Sequence, residues 1–239
     1  MMDITLAIIT MNRAKVLERT LKSYYDNNFF ELFNEVIILL QTNNKEERKL
    51  SEKYNLKIYS TEKNIGIGYG NNFLIDKIIT EHFIICQNDF KLIGNDYKEI
   101  KNGINMINKG IINCYRLRNM ENPGKPAHGA FRLIKPDGDL NPTHHCCLLY
   151  YNFIKDPHKD NKYKSIFEYN NLYQCYILSS KHACYTENPC IYQKNWYYKN
   201  IYNYNKISNK KAENNVQAFW EKQNFKIGIG KGIFCHDDS

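Results

Sequence analysis

The first 90 residues alternate short, mostly apolar segments with longer polar or amphipathic ones. The apolar segments are ITLAIIT (4–10), EVIILLQ (35–41), LKIYS (56–60) and HFIIC (82–86). A strand that is apolar at nearly every position is typical of a parallel sheet covered on both faces. Because the segments between these strands have the length of crossover helices, the alternation predicts right-handed βαβ units and an α/β fold.

The helices between these strands are predicted from the spacing of their side chains. KEERKLSEKY (45–54) and residues 70–80 are predicted to be helical. The helix after the first strand is predicted to carry one apolar stripe, formed by Leu17, Leu21, Tyr24 and Tyr25.

The composition of the chain changes near residue 120. All six prolines lie between Pro123 and Pro189, and twelve of the nineteen tyrosines lie between Tyr150 and Tyr204. We therefore expect one domain with two halves, 1–120 and 121–239. The second half is predicted to contain a hairpin of GAFRLI (129–134) and CCLLYY (146–151), helices near 165–175 and 193–204, the helix KAENNVQAFWEKQ (211–223) and the strand FKIGIG (225–230).

The net charge of +8 favours an anionic ligand, such as nucleic acid, phosphate or an anionic membrane surface. The sequence shows neither a basic helix nor an aromatic RNP-like strand, so a nucleic-acid ligand is not favoured. The chain has no apolar run of about 18 residues, and its first residues, MMDITLAIITMNR, carry an acid where a secretory signal would carry a base. We therefore expect a soluble cytoplasmic protein without a transmembrane segment. The abundance of Asn, Ile, Lys and Tyr is typical of an AT-rich genome, such as that of a large DNA virus or a parasite.

Three motifs in the first half, taken together, resemble those of family-2 GT-A glycosyltransferases. TMNR (10–13) follows the first strand, NIGIGYGNN (64–72) resembles the N-x-G-x-x-x-A-x-N turn of that family, and ICQND (85–89) occupies the place of its D-x-D element. The resemblance covers roughly the first 110 residues. It implies a GT-A, Rossmann-like, mostly parallel sheet flanked by helices, with a less regular acceptor-binding second half.

The resemblance also implies residues that bind the donor, a nucleotide-sugar. Gln87 stands where the family usually has an acid, and Gln41 stands where an Asp often contacts the base. Alternatively, Asn64, Gly66 and Asn72 only shape a tight turn before the next helix. The residues expected to bind the nucleotide-sugar are Thr10, Asn12, Arg13, Gln41, Asn64, Gly66, Asn72, Gln87 and Asn88.

A divalent cation, Mn²⁺ or Mg²⁺, is implied as cofactor by the same resemblance. Its expected ligands are Asp89, at the last position of the D-x-D element, and His236, which follows the final strand, with Asp237 as the substitute for His236. Such a cation stabilises a departing diphosphate. Hard cations prefer carboxylate oxygen, and an imidazole ligand suits Mn²⁺ better than Mg²⁺.

Glu213 is the residue that the resemblance implies as general base. It lies near the start of the helix at 211–223, where the dipeptide E-N resembles the E-D pair of the family. A carboxylate in the first turn of a helix stays ionised more easily, and a base must accept the proton of the attacking hydroxyl. Glu221, further along the helix, is the rival candidate.

The resulting hypothesis is a metal-dependent, inverting glycosyltransferase that transfers a hexose or deoxyhexose from a UDP-sugar to a glycan or another hydroxyl acceptor. Residues 121–204 are expected to shape the acceptor pocket. One alternative is a sugar-phosphate nucleotidyltransferase, although the Gly-rich loop of that class is missing after the first strand. Another is a catalytically inactive sugar-binding descendant, which Gln41 and Gln87 would mark. The sequence leaves the oligomeric state open.

Overall fold

A computed structural model of the chain describes residues 2–125, 149, 154–206 and 212–237. The α-helices are α1 (Ala14–Asp26), α2 (Lys45–Lys53), α3 (Ile67–Lys77), α4 (Lys98–Asn108), α5 (Lys194–Asn200) and α6 (Ala212–Trp220). The strands are β1 (Met2–Thr10), β2 (Phe33–Gln41), β3 (Lys57–Thr61), β4 (His82–Gln87), β5 (Phe90–Leu92), β6 (Cys114–Arg118), β7 (Gly124–Lys125), β8 (Glu168–Asn170), β9 (Cys175–Ser179), β10 (Cys190–Gln193) and β11 (Lys226–Asp237). No helix within the described ranges combines the length and the apolar character needed to cross a lipid bilayer.

The described strands form one sheet in the order β3-β2-β1-β4-β10-β6-β11-β9-β8, with β5 and β7 paired to β11. Strands β3, β2, β1 and β4 are parallel neighbours, as the sequence predicts. Strand β10 then runs antiparallel between β4 and β6, and β11 runs parallel to β6. The α/β class with a mostly parallel central sheet is confirmed, and strands from both sides of residue 120 share this sheet.

Strand β1 is buried on both faces, which explains its continuous apolar sequence. Ala7 and Ile9 pack into the core on one face of the sheet, and Leu6 and Ile8 pack into the core on the other. The side chains of a strand alternate between the faces, so a strand covered by helices on both sides needs apolar residues at every position.

Helix α1 packs through Leu17, Leu21 and Tyr24, which are all fully buried. The prediction that Tyr25 belongs to the same apolar stripe is wrong. Tyr25 is 63% exposed and packs against the ring of Tyr54 at a centroid distance of 5.5 Å. Helical residues are rotated by about 100° from one to the next. Position 24 therefore lies about 20° from position 17 around the helix axis, whereas position 25 lies about 80° away.

The predicted helix near 165–175 is wrong, because β8 and β9 form an antiparallel hairpin there. Asn170 accepts a hydrogen bond from the backbone of Tyr173, and Gln174 has a φ of 51°, so the segment turns instead of continuing as a helix. The helix predicted at 193–204 is shorter, and those at 70–80 and 211–223 are present as α3 and α6. Apart from Leu149, the hairpin predicted from 129–134 and 146–151 lies outside the described residues.

Candidate active site

A cleft of about 320 Å³ lies where β1, β2 and β4 end. Ligands of open α/β sheets bind beyond the carboxyl ends of the strands, at the point where the strand order reverses. Seven of the residues that were expected to bind a nucleotide-sugar line this cleft, together with three that were not. The seven are Thr10, Arg13, Gln41, Asn64, Gly66, Gln87 and Asn88, and the three are Ile9, Met11 and Ile67.

The register between β1 and β4 brings the first part of this lining together. Ile9 lies opposite Gln87, so the residues that follow the two strands are neighbours. The Asn88 backbone donates to the Ile9 carbonyl at 3.1 Å, and Asn88 Nδ2 donates to Thr10 Oγ1 at 2.9 Å. Thr10 and Asn88 are therefore held in fixed orientations at the floor of the cleft.

Glu47 positions the loop between β1 and α1, although the sequence did not indicate it as a site residue. Its Oε1 accepts from Thr10 Oγ1 at 2.6 Å and from the Arg13 backbone at 2.9 Å, and the residue is fully buried. It lies in the first turn of α2, which Asn44 caps by accepting from the backbones of residues 46 and 47. An asparagine at this position indicates the start of a helix, and this signal could have placed Glu47 in its first turn.

The opposite wall of the cleft is a turn that leads into α3. Gln41 Oε1 accepts from the Ile65 backbone at 2.9 Å, and Asn64 Oδ1 accepts from the Gly66 backbone at 2.7 Å. Gly66 caps α3 with a φ of 83°, a conformation that side chains with a Cβ rarely adopt. Because Gly66 and Ile67 line the cleft, the amino terminus of α3 faces it, and such a terminus favours anions.

Asn12 and Asn72 lie outside the lining of the cleft. Asn72 is buried, donates to the Tyr202 carbonyl at 2.8 Å and accepts from Asn205 Nδ2 at 3.0 Å. Asn12, with a φ of 52°, accepts from Thr42 Oγ1 at 2.8 Å. These contacts give both asparagines a role in the architecture of the site, and their contact with a nucleotide stays a prediction.

Asp89 and His236, the two expected metal ligands, lie side by side. Strand β11 pairs with β5 so that His236 is opposite Phe90, and His236 Nε2 lies 3.4 Å from Asp89 Oδ2. The same carboxylate oxygen is 2.8 Å from Arg13 Nη1. Asp237, the proposed substitute for His236, forms ion pairs with Arg19 at 3.2 Å and Lys91 at 3.4 Å.

The Asp89 carboxylate is buried but ionised. Burial raises its pKa, yet the hydrogen bond and charge of His236 and the adjacent Arg13 guanidinium together outweigh burial and hold the pKa below its usual value. Asp89 Oδ1 is buried and has no hydrogen-bond partner among the described residues. Since a buried charged oxygen is costly without a partner, this atom is suited to bind a cation or a donor group.

The described residues contain no cluster of three or more His, Cys, Asp or Glu side chains able to hold a metal ion. Asp89 and His236 nevertheless supply one carboxylate and one imidazole. A divalent cation that also binds diphosphate oxygens needs only one or two protein carboxylates. The pair, with Oδ1 of Asp89 unused, therefore fits a cation shared between the protein and a phosphorylated ligand.

Glu213 lies in the first turn of α6, on the face that packs against residues 183–187. Its Oε1 accepts from the Glu187 backbone at 3.0 Å, and one turn later Gln217 Oε1 accepts from the Tyr185 backbone at 2.5 Å. Trp220 Nε1 donates to the Ala183 carbonyl at 2.6 Å. The Glu213 side chain remains exposed, so a substrate can reach it. Glu221 follows α6 and accepts from Gln217 Nε2 at 3.1 Å.

No family model matches the sequence, and no curated protein sequence matches it significantly. Among solved structures, residues 1–349 of TarS, a glycosyltransferase from S. aureus, match with a TM-score of 0.62 and 16% identity, over 99% of this chain and 60% of that chain. The UDP-GlcNAc complex of TarS gives a TM-score of 0.60 at 14% identity, over 100% of this chain and 59% of that one. Its UDP complex gives 0.61 at 15%, over 100% and 61%.

The chain has a GT-A-like glycosyltransferase fold. This finding confirms the fold that the three motifs predict. The chain spans about 60% of the length of these three TarS chains.

Within this GT-A-like fold, a second carboxyl group lies beside Glu213 that the sequence did not indicate. Glu187 precedes β10 and is only 9% exposed. Burial, and secondarily the negative charge of Glu213, raise its pKa to about 8. In the sequence, Glu187 resembles an ordinary loop acid. Its burial depends on α6, which lies far along the chain, and on β10, which is only a short strand.

Proposed function

We propose that this protein is a glycosyltransferase that uses a nucleotide-sugar donor, and specifically a UDP-sugar. The observation that carries the proposal is the cleft at the ends of β1, β2 and β4, where seven expected donor-binding residues meet beside the buried carboxylate of Asp89. The likeness to TarS, whose solved structures include complexes with UDP and UDP-GlcNAc, supports the choice of donor.

The cleft suits a nucleoside diphosphate in both polarity and charge. The guanidinium of Arg13 and the amino terminus of α3, which begins after Gly66, both favour the negative diphosphate. The amide side chains of Gln87 and Asn88 supply hydrogen-bonding groups for the ribose and the base. The two sets of groups lie in one cleft, so they can bind one donor molecule together.

Asp89 and His236 would hold the divalent cation, with Mn²⁺ favoured over Mg²⁺ by the imidazole. When bound, such a cation neutralises the negative charge that develops on the departing diphosphate. Arg13 supplies a second positive charge beside the diphosphate. Its guanidinium is held there by the ion pair with Asp89, at 2.8 Å.

Glu213 acts as the general base. The acceptor hydroxyl gives its proton to the Glu213 carboxylate while its oxygen forms a bond to the anomeric carbon of the donor sugar. The bond from that carbon to the diphosphate oxygen breaks, and its electron pair leaves with the nucleoside diphosphate. Attack on the side opposite the leaving group inverts the anomeric configuration. The acceptor is a glycan or another hydroxyl compound, bound by the half of the chain after residue 120.

Donor binding is tested by the thermal stability of the protein with a panel of UDP-, GDP- and dTDP-sugars, each with and without Mn²⁺. A ligand at one hundred times its dissociation constant stabilises the folded state by about 2.7 kcal/mol. We expect a rise in melting temperature for UDP-sugars that is larger with Mn²⁺. If no nucleotide-sugar raises the melting temperature and no transfer product forms, the proposed function is wrong.

The base is tested with Glu213→Gln, because glutamine can still accept the hydrogen bond from the Glu187 backbone but cannot take up a proton. We expect kcat to fall by about 10²- to 10⁴-fold, with an unchanged melting temperature. The matched control is Glu168→Gln, which changes an exposed glutamate on the distant edge strand β8. A retained anomeric configuration in the product would exclude the inverting mechanism.

A further inference from the structure

The side chain of Glu187 is buried at a site where nothing so far described uses it. Its Oε1 is buried and has no hydrogen-bond partner among the described residues. It borders a cavity of about 10 Å³, together with the polar side chains of Asn71, Thr186 and Asn188. A cavity of roughly this size is at the lower limit for holding one water molecule. Because Ile85 and the rings of Tyr185, Tyr192 and Tyr197 also line this cavity, the carboxyl group borders a small and mostly apolar pocket and not bulk solvent.

The surroundings of Glu187 contain another acid. Glu213 faces it from α6, and among the described residues the phenols of Tyr185, on the same segment, and Tyr197, on α5, also respond to its charge. Helix α3 and strand β4 contribute the neutral side chains of Asn71 and Ile85. Burial and the nearby charge of Glu213 both favour the neutral form of the Glu187 carboxyl group.

Glu187 contacts Glu213 through its backbone N–H. The Glu187 backbone donates to Glu213 Oε1 at 3.0 Å, which leaves Oε2 of Glu213 as the oxygen available to an acceptor hydroxyl. Gln217, one helical turn from Glu213, makes the equivalent contact with the Tyr185 backbone. The segment at 185–187 and α6 are thus bound together at two points, and the orientation of Glu213 depends on this segment.

We propose that Glu187 is a positioning residue for the base: its backbone N–H holds the Glu213 carboxylate in the required orientation, and its buried side chain permits this only while it is neutral. This inference rests on the proposed function of Glu213. If Glu187 becomes ionised, its negative charge repels that of Glu213. Glu187 is buried, whereas Glu213 is exposed. Glu187 is fixed by its surroundings, whereas Glu213 can rotate into solvent. Ionisation of Glu187 therefore moves Glu213 away from the acceptor and lowers the rate.

The test is the pH dependence of kcat for the wild type, Glu187→Gln, Glu187→Ala and the control Glu168→Gln. Since Glu187 has a pKa of about 8, we expect kcat of the wild type and the control to fall about tenfold between pH 7 and pH 9. Glu187→Gln imitates the neutral acid, so its kcat should equal that of the wild type at pH 7 and stay constant to pH 9. Glu187→Ala keeps the backbone N–H and also lacks the charge, so its kcat should likewise stay constant from pH 7 to pH 9, with the same KM for the donor.

A second measurement separates this inference from the proposed function. The titration of the Glu187 carboxyl carbon is followed by ¹³C NMR in the wild type and in Glu213→Gln, and we expect its pKa to drop when Glu213 becomes neutral. If the wild type transfers sugar and Glu187→Gln has the same alkaline limb as the wild type, the positioning role is wrong. If the pKa of Glu187 is unaffected by Glu213→Gln, the pairing itself is wrong. A wild type without any transfer activity contradicts the proposed function, and the titration still decides the pairing.

Discussion

The guanidinium of Arg13 and the carboxylate of Asp89 form an ion pair, with 2.8 Å between Nη1 and Oδ2. The Asp89 side chain is 5% exposed and that of Arg13 is 36% exposed, so the pair joins a buried anion to a cation that borders the cleft. The backbone of Arg13 is held by Glu47. A diphosphate in the cleft would therefore lie near Arg13, whose guanidinium also pairs with Asp89, the expected metal ligand.

Asp89→Asn is expected to abolish the effect of Mn²⁺ on donor binding, because the amide is a much weaker ligand for a hard cation than the carboxylate. The substitution also removes the negative charge that contacts Arg13 and His236. We expect the free energy of unfolding to fall by roughly 1–3 kcal/mol, less than for a fully buried pair because Arg13 is partly exposed. Isothermal titration calorimetry with a UDP-sugar, with and without Mn²⁺, measures the first effect.

The same substitution has a defined pH signature. The pKa of Asp89 is lowered in the folded state, so its stabilising contribution is present above the unfolded-state pKa of about 3.9 and is lost as pH falls through the folded-state value. The difference in melting temperature between the wild type and Asp89→Asn should be constant from pH 7 to pH 5 and shrink below about pH 4. The control is Asp26→Asn, which breaks an exposed pair with Lys22 and should change stability little at any pH.

Arg13→Gln is expected to weaken the binding of UDP by about tenfold to a hundredfold. Arg13 lines the cleft, and a hydrogen bond to a charged group contributes about 1.5–3 kcal/mol. The dissociation constant of UDP, measured by calorimetry, tests this expectation. Arg48→Gln, which removes a cation that contacts Asn43 and Ser60, is the matched control. Equal affinity of Arg13→Gln and the wild type would exclude contact between Arg13 and the phosphates.

The four parallel strands could be predicted because each carries its own signal. Strands β1 and β4 are apolar at nearly every position, and the helices between the strands have clear spacing. Strand β6, CYRLR, was missed because Arg116 and Arg118 are charged yet buried. Arg116 donates to the Cys184 carbonyl and Arg118 to the Pro123 carbonyl, contacts that only the folded chain supplies. A local pattern cannot show that a guanidinium will find such partners.

The candidate site divides in the same way. The residues that follow β1 and β4 could be predicted, since parallel strands bring their carboxyl ends to one edge of the sheet. The pairing of His236 with Asp89 followed only from the family resemblance, because 147 positions separate them and the register of β11 on β5 brings them together. The cap at Asn44 could have placed Glu47 in the first turn of a helix, but nothing in the local sequence of Glu47 or Glu187 shows that these residues are buried.

Gly68→Ala is expected to destabilise the protein and to slow the reaction. A Cβ at this position in α3 would lie 2.7 Å from the Cβ of Ala212 and 2.9 Å from the Asn205 carbonyl oxygen. Such overpacking typically costs about 1–3 kcal/mol, and relief requires α6 to move together with Glu213. We expect a lower midpoint in urea and a lower kcat. The double variant Gly68→Ala with Ala212→Gly removes one of the two clashes and should recover part of both losses. No recovery would show that the carbonyl contact dominates.

Glu187→Gln is expected to make the protein more stable than the wild type at pH 8 but not at pH 5. The pKa of Glu187 is about 8 in the folded state and about 4.3 when unfolded. Between these values the folded state binds the extra proton, so the stability of the wild type falls as pH rises and levels off above pH 8. The loss amounts to on the order of 3–5 kcal/mol at most. Urea unfolding from pH 4 to pH 9 measures it, with Glu168→Gln as control. Parallel curves for the wild type and Glu187→Gln would contradict a proton held by Glu187.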